Sequence, residues 1–378
     1  MYHTNKNLNI FSRAAGAALL LLSTLSACNK LSEQTPLSEP EALSPEAVGE
    51  LTGSIRLDIA LEEDAPVETR AVTAYQSVEN YEKAVNRLDI FIFDKSSKKL
   101  NAHYTAASPT VSSDGKVIAE AIPCTQGIKH VFAVINGAAI TGLDSIADED
   151  AFCALTADLD YNSTADGGNF LMLARSADVS VSGNDVACTL TARRPVYRVV
   201  LQRVRNNTQI GTITVKGVFL INVGKTTLAS QFDPTTLPKA ASVAYNIAGK
   251  KTGSSAYVTG PESSDLPALL YKDLGNVSID KNGSLGSNDV PLCRLYGIPH
   301  AAHGTSPERL VLLANVAGND YYYPMTLPET VGNNSYTVEL TIRNIGSQNP
   351  NLPVAVGDID ATVTLAPWIT TNNLDISI

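Results

Sequence analysis

Several signatures that would announce a function are missing from this sequence. Cysteine is scarce: beyond Cys28 only Cys124, Cys153, Cys188 and Cys293 occur, far apart and never as CxxC, which excludes a zinc knuckle or a dithiol redox motif. Charged residues make up only 17% of the chain, the formal net charge is −10, and no basic run follows the N-terminal region. Nucleic acid and acidic membrane surfaces are thereby excluded as main partners. Long Ala/Glu/Lys/Leu runs are absent, and with them the prospect of a helical bundle. No Gly-x-Ser-x-Gly elbow, HExxH or paired Cys/His signature is present, and nothing marks an enzyme. No apolar run reaches the roughly 20 residues that cross a bilayer as a helix.

What the chain does contain is β-structure. Its 378 residues are long enough for two domains, and 44% are apolar, so the chain folds. Val, Thr, Ile, Ser, Asn and Gly recur throughout, a balance that favours strands. Residues 1–28 are an export signal: Lys6 and Arg13 give a positive start, AAGAALLLLSTL (14–25) an apolar stretch, and Leu25-Ser26-Ala27-Cys28 resembles the lipobox of bacterial lipoproteins. Cys28 would carry the lipid, an anchor and not a span. Residues 29–50, rich in Ser, Pro and Glu, form a flexible tether. In an exported chain of this size the four remaining cysteines are expected as buried free thiols.

Past the tether, GSIRLDIAL (53–61) alternates with period two and is expected as a half-buried strand. NRLDIFIFD (86–94) is another, and KHVFAVING (129–137), almost continuously apolar, is a central one. One short helical region falls within 138–160. Further strands are expected at 169–176, 178–183, 186–193, 196–205, 211–223, 308–316, 334–345 and 358–369, while 225–300 is assigned to long loops. The expected fold is all-β: two β-sandwich domains in tandem, with transthyretin-like or Greek-key topology, at 71–192 and 193–378.

Local motifs that could carry chemistry are weak. Val223-Gly224-Lys225-Thr226-Thr227 looks like the tail of a phosphate loop, but the position that needs the first glycine is Phe219. His300 and His303 could ligate a metal, yet Pro299 and Gly304 favour a loop and no third ligand is evident. The acids of DEDAF (148–152) and Asp358/Asp360 do not fit a calcium loop. Neither catalytic nor metal-binding residues are assigned, and no cofactor.

Three features remain. The first is the lipid anchor and tether. The second is strand 53–61 followed at once by Arg70 and Ala71 in an acidic, Pro-containing connector. The third is a C-terminus that alternates to its final residue: Ile359, Ala361, Val363 and Leu365, then Leu374, Ile376 and Ile378. A cut after Arg70 would free strand 53–61 and leave an apolar groove with unpaired backbone groups, each costing roughly 1–3 kcal/mol. A strand from another molecule would repair both defects, and such head-to-tail contacts make filaments.

These segments resemble the fimbrillins, lipoprotein-derived subunits of type V pili, and the major shaft subunit in particular. NNSYTVELTIRNIGSQNPNLPV (333–354) followed by Trp368 is similar to that family's C-terminal stretch. GSIRLDIAL with Arg70-Ala71, NRLDIFIFD, KHVFAVING and YYYPMTLP (321–328) are similar to its removed strand, processing site and core strands. The resemblance implies a propeptide at 51–70, cleavage between Arg70 and Ala71 by an Arg-specific protease, travel to the outer membrane on the Cys28 lipid, and a homopolymer joined by the C-terminal donor strand. It leaves open which of 358–368 and 374–378 is inserted, and whether a host surface or other bacteria are bound. Two other readings stand beside it: a tip or anchor accessory subunit, and a surface lipoprotein that stacks glycans on Tyr321, Tyr322 and Tyr323. Loss of residues 1–70 removes five Lys/Arg and ten Asp/Glu, taking the charge from −10 to −5.

Overall fold

Period-two alternation runs along the chain, and strands are what it builds. A computed structural model describes residues 50–61, 79–165, 168–228, 239–240, 269–287, 290–352 and 359–368. The first half supplies β1 (Gly53–Leu61), β2 (Leu88–Asp94), β3 (Leu100–Ala106), β4 (Thr110–Val111) and β5 (Val117–Cys124). It continues with β6 (Gly127–Ile135), β7 (Thr156–Asp158), β8 (Met172–Arg175), β9 (Val179–Val181) and β10 (Val186–Ala192). These form one sheet in the order β10-β1-β5-β4 and another in the order β3-β2-β6-β8, with β9 also on β6.

The inward rows of the two sheets make one core, in which Ile55, Leu57 and Ile59 meet Ile90, Ile92, Val131 and Ala133. β2 and β6 are buried on both faces. Their alternate residues Phe91, Phe93, Phe132 and Val134 pack beneath the 140–161 segment, which is why both read as nearly continuous apolar runs. Phe152 caps that second core, its ring centroid 4.7 Å from Phe132 and 5.2 Å from Phe91. It rides on α1 (Glu149–Cys153), the single α-helix among the described residues. Asp148 starts α1 by accepting a hydrogen bond from the Ala151 N–H at 2.9 Å, and Glu149 and Asp150 suit its N-terminal dipole.

The second half contributes β11 (Tyr197–Asn206), β12 (Ile213–Ile221), β13 (Thr226–Leu228), β14 (Tyr271–Ile279) and β15 (Ser284–Leu285). It ends with β16 (Cys293–Gly297), β17 (Arg309–Val316), β18 (Asn319–Thr326), β19 (Asn334–Ile342) and β20 (Ile359–Pro367). Sheet β15-β11-β19-β20, with β16 also on β11, faces sheet β14-β12-β17-β18 across a core that includes Val199, Leu201, Val218, Leu220, Leu312 and Val338. One short pairing, β7 with β13, joins strands of the two halves.

The fold is all-β with β-sandwich architecture, as the alternation predicts, but the assignment of 225–300 to loops is corrected: β14 and β16 lie inside it. β14 is an edge strand with mostly exposed side chains, and Gly275 and Asn276 both have positive φ, 80° and 56°. Where β12 pairs with it, the register slips between Val215 and Gly217. A strand that is solvated and bulged has no period to read. β5 escaped for a related reason, since Ala121 at φ 52° interrupts its alternation. Cys124, Cys153, Cys188 and Cys293 are free thiols, Cys153 only partly buried.

Candidate functional site

Strand β1 is a central strand. It pairs in parallel with β10 from Ile55↔Val186 to Leu61↔Ala192 and antiparallel with β5 from Gly53↔Cys124 to Ile59↔Val117. Ile55, Leu57 and Ile59 are fully buried and Leu61 is 8% exposed. Ser54 is tied to the β9–β10 turn: its hydroxyl bonds Asp185 Oδ1 at 3.2 Å and accepts the Asp185 N–H at 2.8 Å. Burying four aliphatic side chains contributes about 1.5–3 kcal/mol each, an upper bound. If β1 goes, β10 loses its only partner in the sheet and β5 keeps only the short β4. The groove left behind is lined by Val117, Ala119 and Ile122 of β5 and by Cys188, Leu190 and Ala192 of β10.

Strand β20 is an edge strand. It pairs antiparallel with β19 over its whole length, Asn334↔Pro367 through Ile342↔Ile359. The residues Ile359, Ala361, Val363 and Leu365 stand opposite Ile342, Leu340, Val338 and Tyr336, all core residues of β19, so this row faces the core side. It is nevertheless poorly covered: Ile359 and Val363 are half-buried, Ala361 is exposed and Leu365 is 56% exposed. An Arg343–Asp360 ion pair braces the exposed side.

Just past β20, Trp368 enters a buried cluster that sequence reasoning missed. Its main-chain N–H donates to the Asn333 carbonyl at 3.0 Å, and its ring lies near the guanidinium carbons of Arg194 and Arg198, 4.7 and 5.1 Å away. Tyr296 stacks on it at 5.5 Å and Phe170 meets it edge-on at 5.8 Å. Glu82, in the 3-10 turn Asn80–Glu82, organises the charges. Its carboxylate accepts from Arg198 Nη1 at 2.8 and 3.1 Å and from the Tyr296 hydroxyl at 2.6 Å, and its carbonyl accepts from Arg194 Nη2 at 2.7 Å and Nε at 3.1 Å. Burial is the main cause that pushes the Tyr296 hydroxyl well above its ordinary range, with the Glu82 charge adding to it. The indole Nε1–H of Trp368 has no hydrogen-bond partner among the described residues.

The other candidates resolve into structural roles. His300 is buried in a bridge with Ala240 just before a turn, and its Nδ1 accepts the Ala302 N–H at 3.0 Å; His303 bonds Glu308, and Thr330 donates to that carboxylate at 2.6 Å. Among the described residues no group of three or more His, Cys, Asp or Glu is arranged to hold a metal ion. Gly224 pairs with Ile298 as an isolated bridge between β12 and β13. Tyr321, Tyr322 and Tyr323 are no common stacking surface: Tyr322 and Tyr323 are 3% and 0% exposed and belong to different hydrophobic clusters. Cys28, Arg70, Ala71, Leu374, Ile376 and Ile378 lie outside the described residues.

Comparison with known proteins adds two findings. Residues 55–215 match the family model described as major fimbrial subunit protein (FimA). Among solved structures, the chain is similar to a fimbrilin from Porphyromonas gingivalis W83, with 15% identity over 85% of this chain and 99% of that one and a TM-score of 0.57. A candidate cell adhesion protein from Bacteroides eggerthii gives 18% identity over 85% and 97%, with a TM-score of 0.59. Another, from Parabacteroides distasonis, gives 12% over 84% and 97%, with a TM-score of 0.60. At these identities the structural likeness speaks for the fold. A search of curated proteins returns no match.

Proposed function

We propose that this chain, whose residues 55–215 match the major fimbrial subunit family model, is a fimbrillin-family subunit of a cell-surface fimbrium that polymerises by strand exchange. It is exported as a lipoprotein on Cys28 and carried to the outer membrane. An Arg-specific protease cuts between Arg70 and Ala71, β1 leaves with the lipid, and a C-terminal strand of a second copy enters the groove between β5 and β10. The subunit is a structural component, with no catalytic role.

One observation carries this reading: the segment upstream of Arg70 is a middle strand of its sheet, so that removing it leaves a vacancy and not merely a trimmed edge. β20 matches the vacancy in period and number. β1 presents Ile, Leu, Ile and Leu at 55, 57, 59 and 61; β20 presents Ile, Ala, Val and Leu at 359, 361, 363 and 365. Both rows are four residues at period two, and an edge strand with a half-covered face is the element least costly to give up. The mature charge of −5 in place of −10 favours stacking of copies. We place β20, and not 374–378, in the groove on the strength of this match.

The test is Arg70→Ala. The variant should remain monomeric and lipid-attached, with no ladder of polymer on unheated gels. Undiminished ladders from that variant would count against processing at this site.

A further inference from the structure

Two remote parts of the chain meet at the Trp368 cluster. Glu82 lies twelve residues beyond Arg70 in the sequence, and Trp368 directly follows β20. We infer that Glu82 is the catch of a latch: it holds Arg194 and Arg198 against Trp368, so the segment next to the processing site governs whether β20 stays on its own sheet. This inference deepens the strand-exchange reading and rests on it for its biological meaning.

Glu82 fixes the two guanidiniums in different ways, Arg198 through its carboxylate and Arg194 through its main-chain carbonyl. Those guanidiniums, with Tyr296, form the surface on which the indole packs. All of these side chains are buried. Removing a partner from a buried ion pair is costly because the remaining charge stays dehydrated. The cluster can relieve that cost by letting water in, and Trp368 is the element most easily lifted. It ends an edge strand whose apolar row is half-covered, and its indole N–H would gain a water partner on opening.

The 79–82 turn is itself held by polar contacts. Glu82 accepts the Glu79 N–H at 2.8 Å, Glu79 pairs with Arg294 at 2.6 Å, and Tyr81 shares a hydrogen bond with Tyr296 at 3.0 Å. A change in the chain just upstream, such as a new terminus, acts on this turn first. Opening there would loosen β20 and the Trp368 corner of the second core while leaving the β12 and β17 rows packed.

Trp368 is the single tryptophan of the chain, so its fluorescence reports the latch without labelling. The experiment compares the uncut full-length monomer with its Glu82→Gln variant by acrylamide quenching and by amide hydrogen exchange. The latch predicts a red-shifted emission, quenching increased severalfold, and exchange of the 359–367 amides faster by on the order of tenfold, with the β12 and β17 amides unchanged. A Glu82→Gln protein whose Trp368 stays as shielded as in the parent overturns the latch, as does uniform acceleration across β12, β17 and β20. Should that variant fail to fold, Glu82→Asp and Arg198→Lys, which keep both charges inside, carry the same comparison. The protein is never cut or polymerised in this test, so its failure and a failure of strand exchange are separately visible.

Discussion

β1 places Ile55, Leu57, Ile59 and Leu61 in the middle of a sheet, bonded on both sides and sealed from water, whereas β20 places Ile359, Ala361, Val363 and Leu365 on an edge, with Leu365 56% exposed. The two rows share their period and aliphatic character, and their circumstances are opposite. What differs is how many neighbours each strand completes. A central strand satisfies two sets of backbone groups and closes a core; an edge strand satisfies one and shields little. An alternating row is thus a capacity for burial, and topology decides whether the capacity is used. In the proposed assembly the underused row replaces the fully used one.

The sharpest way to break this comparison is to place the same charge in both strands. Leu57→Asp should destabilise the uncut precursor by about 4 kcal/mol or more, because the carboxylate is buried without a partner. Val363→Asp should cost the monomer roughly 1 kcal/mol or less, since it is half-buried on an edge, yet abolish polymer. Denaturant titration of each monomer and polymer ladders from each check the pair; equal destabilisation by the two variants would erase the distinction.

A smaller perturbation staples β1 in place. Leu57 and Cys188 are register partners, so Leu57→Cys offers a disulfide between β1 and β10. Under oxidising conditions the protein should be cut at Arg70 but form no ladder, and reductant should restore assembly. Smaller still is Ala361→Val, which enlarges the proposed donor row where it is thinnest. Ala361 is exposed in the monomer, so monomer stability should hardly move. The polymer should gain roughly 1 kcal/mol per junction from the added methyl groups, read as a higher melting temperature of the ladder.

The fold was legible where burial is regular. β1 alternates because one face is buried, and β2 and β6 read as continuous because both faces are. β14 was illegible because it is solvated and bulged, and the positive-φ Ala121 hid β5. The Trp368 cluster could not have been read in advance. Glu82 and Arg198 are 116 residues apart, and Tyr296 is 214 from Glu82. Only a mildly unusual feature hinted at it: the arginines Arg194 and Arg198 bracketing the start of β11, beside the apolar Val199, Val200 and Leu201. The Tyr321–Tyr323 run forms no shared stacking surface because adjacent strand residues point to opposite faces, Tyr322 into one cluster and Tyr323 into another.

Cys188 gives the most direct test, because it lines the wall that β1 covers. Burial pushes its thiol up to about 11, so at neutral pH it is protonated and a poor nucleophile. Losing β1 should expose it and bring it toward its ordinary value of 9.0, raising the alkylation rate by about 100-fold; a donor strand should silence it again. Cys293, in the second sandwich and pushed to about 12 by burial, serves as the internal control. Alkylation followed by mass spectrometry of precursor, cleaved monomer and fibre should find Cys188 protected, reactive and protected in turn, with Cys293 protected throughout. Fibres that assemble while Cys188 is equally protected in all three states, with residues 53–61 still in their sheet, would contradict the account.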